Sequence, residues 1–303
     1  MKIIATTSAV ELIRGKLKNL IFDKLTSNSP NIFLRGGDVI SRTALIEGIH
    51  EKSLTKLIQE FSKQGLSDFF IDIGANIGLN SCQSGSNFKK IVCFEPNPLC
   101  VHILKANLEI SLIKDSFAIY EYALGESDCE LELHIPKNNW GGAFIKSTNC
   151  YSEEVLAAKD GFKTLNTNNY IKKIINVKSA TNELKYVFNE LKSNGFKNGV
   201  IKIDVEGYEK YVLEGIAKSI PPEFEVVICF ENWDPNFNFK SIVNKFIGRK
   251  VEVNKLERSL LNRKNSKIFK LFNLALGLKD RHVYINLEQA SSNVGDLFFE
   301  LKK

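Results

Sequence analysis

The chain has 303 residues, 44% hydrophobic and 25% charged, a composition typical of a soluble globular protein with one large domain or slightly more. No stretch approaches the roughly 20 consecutive apolar residues of a membrane span, and the N-terminal apolar run is too short, before Glu11 and Arg14, for a secretory signal. The six cysteines include no Cys-x-x-Cys pair, and Cys93 and Cys229 lie in predicted core strands, so we expect reduced thiols in the cytoplasm.

The net charge of +6 is unevenly distributed along the chain. Residues 245–281 contain eleven Lys and Arg against three acidic residues, and residues 1–24 contain five basic against two acidic residues. The rest of the chain is therefore acidic on balance. This asymmetry predicts a mildly acidic catalytic core with basic flanks.

Both basic flanks have helical patterns. Residues 9–25 place apolar side chains on one helical face, and residues 256–276 interleave Leu, Ile and Phe with Lys and Arg. A second N-terminal helix is predicted over 51–64. The basic helices are expected either to contact the inner face of the cell membrane or to pack on the fold, where they would cover a sheet edge or form the seam of a homo-oligomer.

The central part of the chain alternates short apolar runs with helical patterns. Strands are predicted at 69–73, 90–94, 117–124, 174–178, 200–205 and 225–231, and helices from 78 and over 98–110, 181–193 and 208–218. This alternation predicts an α/β fold with a doubly wound, mostly parallel sheet. We expect an N-terminal helical segment (1–66) and one catalytic domain (67–303) with insertions at 129–170 and 245–281.

Two further segments depart from the alternation. Residues 129–136 and 137–146 predict a hairpin, followed by a polar segment, 147–170, expected to form a helix and a loop over the active-site mouth. After a short extended run at 250–254, the runs HVYINLEQ and DLFFELKK predict an antiparallel hairpin at the C-terminal edge of the sheet.

A Gly-rich turn between the first two predicted strands is the strongest functional signal. Asp72 ends the first strand, Gly74, Asn76 and Gly78 belong to the turn that follows, and Glu95 ends the second strand. Ligands of open α/β sheets bind where such strand ends meet. Glu95 is suited to accept both hydroxyl groups of a ribose, and Asp72 is suited to balance a cationic ligand.

The spacing of this turn favours S-adenosylmethionine over a nicotinamide or flavin dinucleotide. A dinucleotide site needs glycine at the first, third and sixth positions, but Asn76 and Leu79 occupy the third and sixth positions counted from Gly74. A carboxylate at Asp72 would also repel a pyrophosphate. S-adenosylmethionine has a ribose, no phosphate and two positive charges.

Five motifs, in this order, resemble the FkbM family of methyltransferases: IDIGANIG (71–78), FEPNP (94–98), KANLE (105–109), YALGE (122–126) and IKIDVEGYEKYVLEGI (201–216). The resemblance covers roughly residues 45–235. It implies a class I S-adenosylmethionine-dependent methyltransferase fold and O-methylation of a sugar or natural product. Two positions depart from the family pattern: His50 replaces a tyrosine, and Ala180-Thr181-Asn182-Glu183 stands where Thr-Leu-Asp is usual.

Residues at the other strand ends are further candidates for the cofactor site. Ala123 and Leu124 are expected against the adenine ring, with Asn97 at the turn after Glu95. By this resemblance Asp204 is expected beside the amino group and methyl of the cofactor, and Glu206, two residues later, is a further candidate catalytic residue.

The acceptor side has several open alternatives. Asp204, Glu231 and Asn232 form an oxygen-rich set that would suit a divalent metal ion, although the family is not defined by one. Otherwise Asp204 or Glu231 would act as a general base or bind a sugar hydroxyl. His134 and His50 are further candidates for the base because imidazole titrates near neutrality. Trp140 is suited either to stack on a sugar or to pack.

These observations predict an S-adenosylmethionine-dependent O-methyltransferase that acts on a sugar hydroxyl of a glycan, surface polysaccharide, glycolipid or glycosylated metabolite. The alternative is a Rossmann-type nucleotide-binding protein or a nicotinamide-dependent enzyme. Nucleic acid is disfavoured as a substrate because few aromatic residues are placed among the basic residues for base stacking.

Overall fold

The structure, a computed structural model, describes residues 9–27, 29–113, 116–147, 149–159, 166–258, 282–290 and 292–302. The helices are α1 (Ala9–Leu25), α2 (Val39–Glu47), α3 (Lys52–Lys63), α4 (Leu79–Ser84), α5 (Pro98–Ser111), α6 (Glu153–Lys159), α7 (Ala180–Ser193), α8 (Glu209–Ser219) and α9 (Phe239–Val243). The strands are β1 (Phe69–Ile73), β2 (Lys90–Phe94), β3 (Phe117–Tyr120), β4 (Ala123–Gly125), β5 (Cys129–Pro136), β6 (Phe144–Ile145), β7 (Tyr170–Ser179), β8 (Asn198–Ile203), β9 (Glu225–Asn232), β10 (Lys250–Arg258), β11 (His282–Asn286) and β12 (Gly295–Lys302).

The main sheet has the order β11-β10-β12-β9-β8-β1-β2-β3. Strands β3, β2, β1, β8 and β9 are parallel to one another, whereas β12 is antiparallel to β9 and β10. The predicted doubly wound, mostly parallel sheet with an antiparallel edge is therefore confirmed. The order reverses between β1 and β8, so the carboxyl ends of these strands form the crevice where such sheets bind ligands.

The alternation of side chains along β1 divides the core between two faces. Phe69, Ile71 and Ile73 face the cluster that contains α7 and α8, whereas Phe70 faces the cluster that contains α3 and α5. Both clusters consist of side chains that are almost completely buried. Burial on both faces explains why β1 and β2 appear in the sequence as continuous apolar runs, and their predicted bounds are confirmed.

A second sheet, with the order β4-β7-β5-β6, corrects two predictions. The run at 117–124 is not one strand, because the main sheet ends at β3 and the chain enters the second sheet at β4. The run at 174–178 belongs to β7, which pairs antiparallel with β5 and parallel with β4 instead of resuming the main sheet. Eight registered pairs between β5 and β7 favour this arrangement, which buries Ile175 and Val177 against Tyr208.

The C-terminal edge also differs from the prediction. Strand β10 lies between β11 and β12, so the two C-terminal runs do not pair with each other. The predicted run at 250–254 continues as strand through Arg258, which removes the first three residues from the helix predicted over 256–276. The rest of that helix lies outside the described residues.

The N-terminal helix α1 has the predicted bounds, and its apolar side chains are exposed. Ile13, Leu17, Leu20, Ile21 and Phe22 each keep more than half of their accessible surface. Within the described residues, no helix combines the length and the apolar content needed to cross a membrane.

Helix α2 was not predicted. Asp38 caps its first turn by accepting a hydrogen bond from the Ser41 N–H (3.0 Å), and Gly48 ends it at φ +73°. Its Ala44 packs against Ile77 and Leu79, at the start of the helix that follows the Gly-rich turn.

Candidate functional site

A cavity that is partly open to solvent lies at the carboxyl ends of β1, β2 and β8; together with the open solvent at its mouth it occupies about 860 Å³. The main sheet forms its floor, and the segment that joins β5 to β6 forms its roof. The lining residues are Ile40, His50, Ile73, Gly74, Ala75, Asn76, Leu79, Asn80, Phe94, Glu95, Pro96, Tyr122, Ala123, Leu124, Leu133, Trp140, Gly141, Ala143, Phe144, Ile145, Lys202, Asp204, Val205 and Tyr208. We call this space the main cavity.

The Gly-rich turn is held against two strands. The Gly74 N–H donates to the Phe94 carbonyl (2.9 Å), and the Asp204 N–H donates to the Ile73 carbonyl (2.9 Å). Gly74 has φ +83°, and a Cβ there would overlap the Asp204 carbonyl oxygen. Only glycine therefore allows the turn to approach β8 this closely.

Glu95 is fixed at the base of the main cavity by two main-chain donors. Its Oε2 accepts from the Asn76 N–H and its Oε1 from the Asn97 N–H, each at 2.7 Å. Burial raises the pKa of Glu95 to about 7, against the opposing effect of these two hydrogen bonds. The carboxyl group also lines the cavity, and its remaining lone pairs can accept hydrogen bonds from the two hydroxyl groups of a ribose.

Gly74, Asn76 and Ala123 also line the main cavity, as predicted for a cofactor site, and the unpredicted aromatic residues Phe94 and Tyr122 lie beside Ala123. Gly78 and Asn97 do not line it. Gly78 starts α4 with φ +85°, and Asn97 caps α5 by accepting from the Leu99 N–H (3.1 Å). Their roles are to shape the two turns.

Asp72 differs from its predicted role as a direct counter-charge for the ligand. Its side chain is fully buried beneath the cavity, where Ser81 Oγ donates to Oδ2 (2.7 Å) and Lys202 Nζ lies 3.4 Å from Oδ1. Strand alternation turns Asp72 away from the turn that follows it. Asp72 therefore does not line the main cavity.

Lys202 is the principal site residue that the sequence analysis missed. It lines the main cavity, is 4% exposed and lies 3.4 Å from both Asp72 and Asp204. Burial alone would lower the pKa of Lys202, but Asp72, Asp204 and Glu51 together raise it well above its ordinary value. The available signal was its position two residues before Asp204, which places both on one side of β8.

Asp204 lines the main cavity, whereas Glu206 does not. Glu206 has φ +50°, and its carbonyl accepts from the Asn149 side chain (2.8 Å). The bend after it is fixed by the Glu209 carboxylate, which accepts from the Gly207 N–H (3.0 Å). The structure therefore places Glu206 in the turn and not at the catalytic position predicted for it.

Glu231 lies in a smaller and narrow crevice, with space for about one water molecule, which we call the acidic crevice. Its charged lining residues are Glu51, Lys202, Asp204, Glu231 and Asp296. Lys202 and Asp204 line both spaces, so the crevice adjoins the main cavity at this ion pair.

The metal set predicted from Asp204, Glu231 and Asn232 is not assembled. The Asn232 side-chain amide donates to the carbonyls of Asp234 (2.9 Å) and Asn293 (2.8 Å), and its oxygen accepts from the Asp234 N–H (3.2 Å). All its polar atoms are therefore engaged in the loop after β9. Among the described residues, no group of three or more His, Cys, Asp or Glu side chains is arranged to hold a metal ion.

Of the two predicted histidine bases, His134 lies away from both spaces. Its Nε2 is 2.9 Å from Glu132, and its ring stacks on Phe144 at 5.5 Å between ring centroids. Burial lowers the pKa of His134 below its ordinary value. His50 lines the main cavity, as does Trp140, whose ring carries the Arg35 guanidinium 4.0 Å from its centroid.

The chemistry of the main cavity fits S-adenosylmethionine. Apolar and aromatic walls suit an adenine, Glu95 suits a ribose diol, and Asp204 suits a cationic amino-acid end. Among the described lining residues Lys202 is the one fixed cation, and two carboxylates balance it. The cavity therefore offers a pyrophosphate no uncompensated positive charge.

Comparison with known proteins agrees with this assignment. Residues 72–286 match the family defined as the Methyltransferase FkbM domain. A similar protein is the methyltransferase sdnD of Sordaria araneosa, 26% identical over 199 residues, which cover 62% of this chain and 75% of that protein.

Solved structures with a similar architecture include two methyltransferases. A SAM-dependent methyltransferase from Agrobacterium tumefaciens is 8% identical with a TM-score of 0.39, over 82% of this chain and 62% of that one. Precorrin-6y C5,15-methyltransferase from Geobacter metallireducens is 11% identical with a TM-score of 0.37, over 83% of this chain and 90% of that one.

Proposed function

Because the chain belongs to the FkbM family of methyltransferases, whose domain spans residues 72–286, we propose that it transfers a methyl group from S-adenosylmethionine to a sugar hydroxyl. The acceptor sugar would belong to a glycan, a surface polysaccharide, a glycolipid or a glycosylated metabolite. The observation that carries the proposal is the ion pair of Lys202 and Asp204, which lies between the main cavity and the acidic crevice.

The acidic crevice supports a hydroxylated acceptor. Glu51, Glu231 and Asp296 accompany Asp204 there, and carboxylate oxygens accept hydrogen bonds from hydroxyl groups. The crevice has room for a group of about the size of one hydroxyl, which would lie beside Asp204, next to the main cavity. A neutral, polyhydroxylated molecule satisfies such a site, whereas an anionic acceptor would be repelled.

The residues of the protein bind and orient the cofactor and the acceptor, and they exclude water from the cavity. When bound, S-adenosylmethionine supplies a methyl group activated by its sulfonium charge. Glu95 accepts the ribose hydroxyls, and the Lys202–Asp204 pair keeps a fixed charge distribution beside the transfer position. The roof segment, including Trp140, Ala143 and Phe144, limits the access of water.

The nicotinamide alternative lacks support from the site. The turn has φ +52° at Asn76, where a dinucleotide site has its second glycine, and a side chain therefore occupies the position of closest approach. The balanced charge of Lys202 also leaves a pyrophosphate without a partner.

Calorimetry with S-adenosylmethionine, S-adenosylhomocysteine and NAD tests the cofactor assignment. We expect binding of the first two and none of NAD. Glu95→Ala should weaken S-adenosylhomocysteine binding at least tenfold, because a ribose diol would lose its acceptor. Glu109→Ala, on the exposed face of α5, is the matched control. NAD binding with no S-adenosylmethionine binding would refute the proposal.

Mass spectrometry of the surface polysaccharide and glycolipids, with and without the gene, tests the acceptor class. A loss of about 14 mass units per modified sugar, the difference between H and CH₃, is expected without the gene. An unchanged glycan and glycolipid profile, together with a methylated non-sugar product, would contradict the sugar assignment.

A further inference from the structure

The roof of the main cavity is held in place partly by a residue that does not line it. Trp140 and Gly141 line the cavity within the roof segment, which we define as residues 137–143. Arg35, which precedes α2, is not one of the described lining residues, but it contacts the segment at the indole of Trp140 and the carbonyl of Lys137. Arg35 also lies outside the matched family domain.

The guanidinium of Arg35 makes one stacking contact and two polar contacts. Its central carbon lies 4.0 Å from the centroid of the Trp140 ring, within the range of a cation–π interaction. Nη2 donates to the Lys137 carbonyl (2.7 Å), and Nη1 donates to Asp38 Oδ1 (3.3 Å). A planar guanidinium can make these contacts together, because its donors project from the edge and leave the face for the ring.

Asp38 completes the link between α2 and the roof segment. Its Oδ2 accepts from the Ser41 N–H (3.0 Å) in the first turn of α2, and its Oδ1 also accepts from the Trp140 N–H (3.3 Å). The main chain and the ring of Trp140 are therefore both attached to the start of α2. The same carboxylate balances the charge of Arg35, which reduces the repulsion between this arginine and a cationic cofactor.

The position of Trp140 determines how closely the roof segment lies over the Gly-rich turn. A Cβ at Gly141, the next residue, would overlap Ile40 Cδ1 and lie 2.6 Å from Asn76 Nδ2. Ile40 and Asn76 themselves line the main cavity, so the roof segment already meets the turn at the cavity wall. If the indole were released from Arg35, the roof segment could move away from the turn and open the space between them.

From this geometry, and resting on the proposed binding of S-adenosylmethionine in the main cavity, we infer that Arg35 is a positioning residue that holds the Trp140 ring over the bound cofactor and thereby slows its release.

The other polar contacts of the roof segment do not replace those of Arg35. The Lys137 N–H donates to the Asn169 carbonyl (3.0 Å), which attaches the start of the segment to the end of the second sheet. The Gly142 N–H donates to the Asn139 carbonyl (3.2 Å), which is a contact within the segment. Neither contact fixes the indole ring, so its position depends on Arg35 and on packing against α2.

Fluorescence of the cofactor-free protein tests whether Arg35 holds the ring. The chain has two tryptophans, so Trp233→Phe leaves Trp140 as the single fluorophore. Because the Arg35 side chain is 25% exposed, Arg35→Gln should leave the fold intact. In this background it should raise the acrylamide quenching constant at least about twofold and shift the emission to longer wavelength, because the indole loses its stacking partner.

Arg42→Gln, exposed on α2, is the matched control for this measurement. It should change neither the quenching constant nor the emission wavelength. Equal accessibility of Trp140 with and without Arg35 would overturn the inference, whether or not the protein binds S-adenosylmethionine.

Stopped-flow fluorescence of Trp140 with S-adenosylhomocysteine tests the effect on release. Arg35→Gln should increase the dissociation rate constant about tenfold. The association rate constant should change less than about threefold. A protein that binds S-adenosylhomocysteine with an unchanged dissociation rate constant would contradict the role in release. Failure of the wild-type protein to bind would instead refute the cofactor site, and the quenching result would still show whether Arg35 holds Trp140.

A double-mutant cycle separates positioning of the ring from a general effect on α2. Calorimetry measures the affinity for S-adenosylhomocysteine at a temperature at which circular dichroism shows all four proteins folded. Arg35→Gln should weaken binding about tenfold in the wild-type background and less than about threefold in Trp140→Leu, which keeps an apolar side chain but lacks the ring. Equal effects in the two backgrounds would show that Arg35 does not act through Trp140 and would overturn the inference.

Discussion

Lys202 lies directly opposite Asp72 in the register of β8 and β1, and its ammonium group is equidistant, at 3.4 Å, from Asp72 and Asp204. One buried cation thus links the floor beneath the Gly-rich turn to the carboxylate at the cavity wall. The pairing joins positions 130 residues apart in the sequence.

Lys202→Met should destabilise the protein by about 3–5 kcal/mol, because it leaves the fully buried Asp72 without a compensating charge. Lys185→Met, exposed on α7, should change the free energy of unfolding by less than about 0.5 kcal/mol. Urea denaturation measures both. The double variant Lys202→Met/Asp72→Leu should recover part of the loss, and no recovery would contradict the charge explanation.

The titration of Glu95 predicts a pH dependence of stability. Its pKa in the folded protein is about 7, against an ordinary value of 4.5. Between these pH values the unfolded chain releases the proton and the folded protein retains it. The contribution of Glu95 to the free energy of unfolding therefore falls as the pH rises from about 4.5 to about 7 and is constant above that range.

Comparison of wild type with Glu95→Gln isolates this contribution. Asp296 titrates in the same window, since burial raises its pKa to about 7, whereas the lowered pKa values of His50 and His134 act in the opposite direction. The free energy of unfolding of wild type minus that of Glu95→Gln should fall as the pH rises from about 4.5 to about 7. A difference that does not vary with pH would contradict the titration of Glu95.

Two glycines with similar main-chain angles provide a matched test of the turn. Gly74 has φ +83° and Gly195 has φ +77°, but a Cβ at Gly195 meets no atom within 4 Å. Gly195→Ala should cost about 1–2 kcal/mol from its conformation alone. Gly74→Ala should cost more and abolish cofactor binding, because the turn must move away from Asp204. Equal losses of stability in the two variants would show that the overlap is relieved without displacement of the turn.

The different burial of two phenylalanines predicts a large loss of stability on truncation of one and almost none on truncation of the other. Phe298 is 1% exposed and contacts Phe61 across the α3 face, whereas Phe22 on α1 is 55% exposed. Phe298→Ala should destabilise the protein by about 3–5 kcal/mol. Phe22→Ala should change stability by less than about 0.5 kcal/mol. A large effect at Phe22, measured by thermal unfolding at several protein concentrations, would indicate that α1 is covered in solution.

Strands and turns specified by nearby residues could be predicted from the sequence. The bounds of β1 and β2 follow from apolar runs that end at Asp72 and Glu95, and Glu95 lines the predicted cavity. The hydrogen-bond partners of Glu95 lie near it in the sequence, since they are the N–H groups of Asn76 and Asn97.

Features that depend on distant pairing were missed. Nothing in residues 170–179 specifies which sheet β7 joins, since that choice depends on its register with β5. Helix α2 is short, and Ala44 is buried in a cluster with Ile77 and Leu79, which are distant from it in the sequence. In the sequence, Lys202 lies within an apolar strand, and its role depends on the pairing of β8 with β1, which brings Asp72 beside it.

The chain passes from β3 in the main sheet to β4 in the second sheet through only two residues, Glu121 and Tyr122. Tyr122, Ala123 and Leu124 line the cavity at this crossing. A displacement of β4 relative to β3 would therefore also displace residues of the cavity wall.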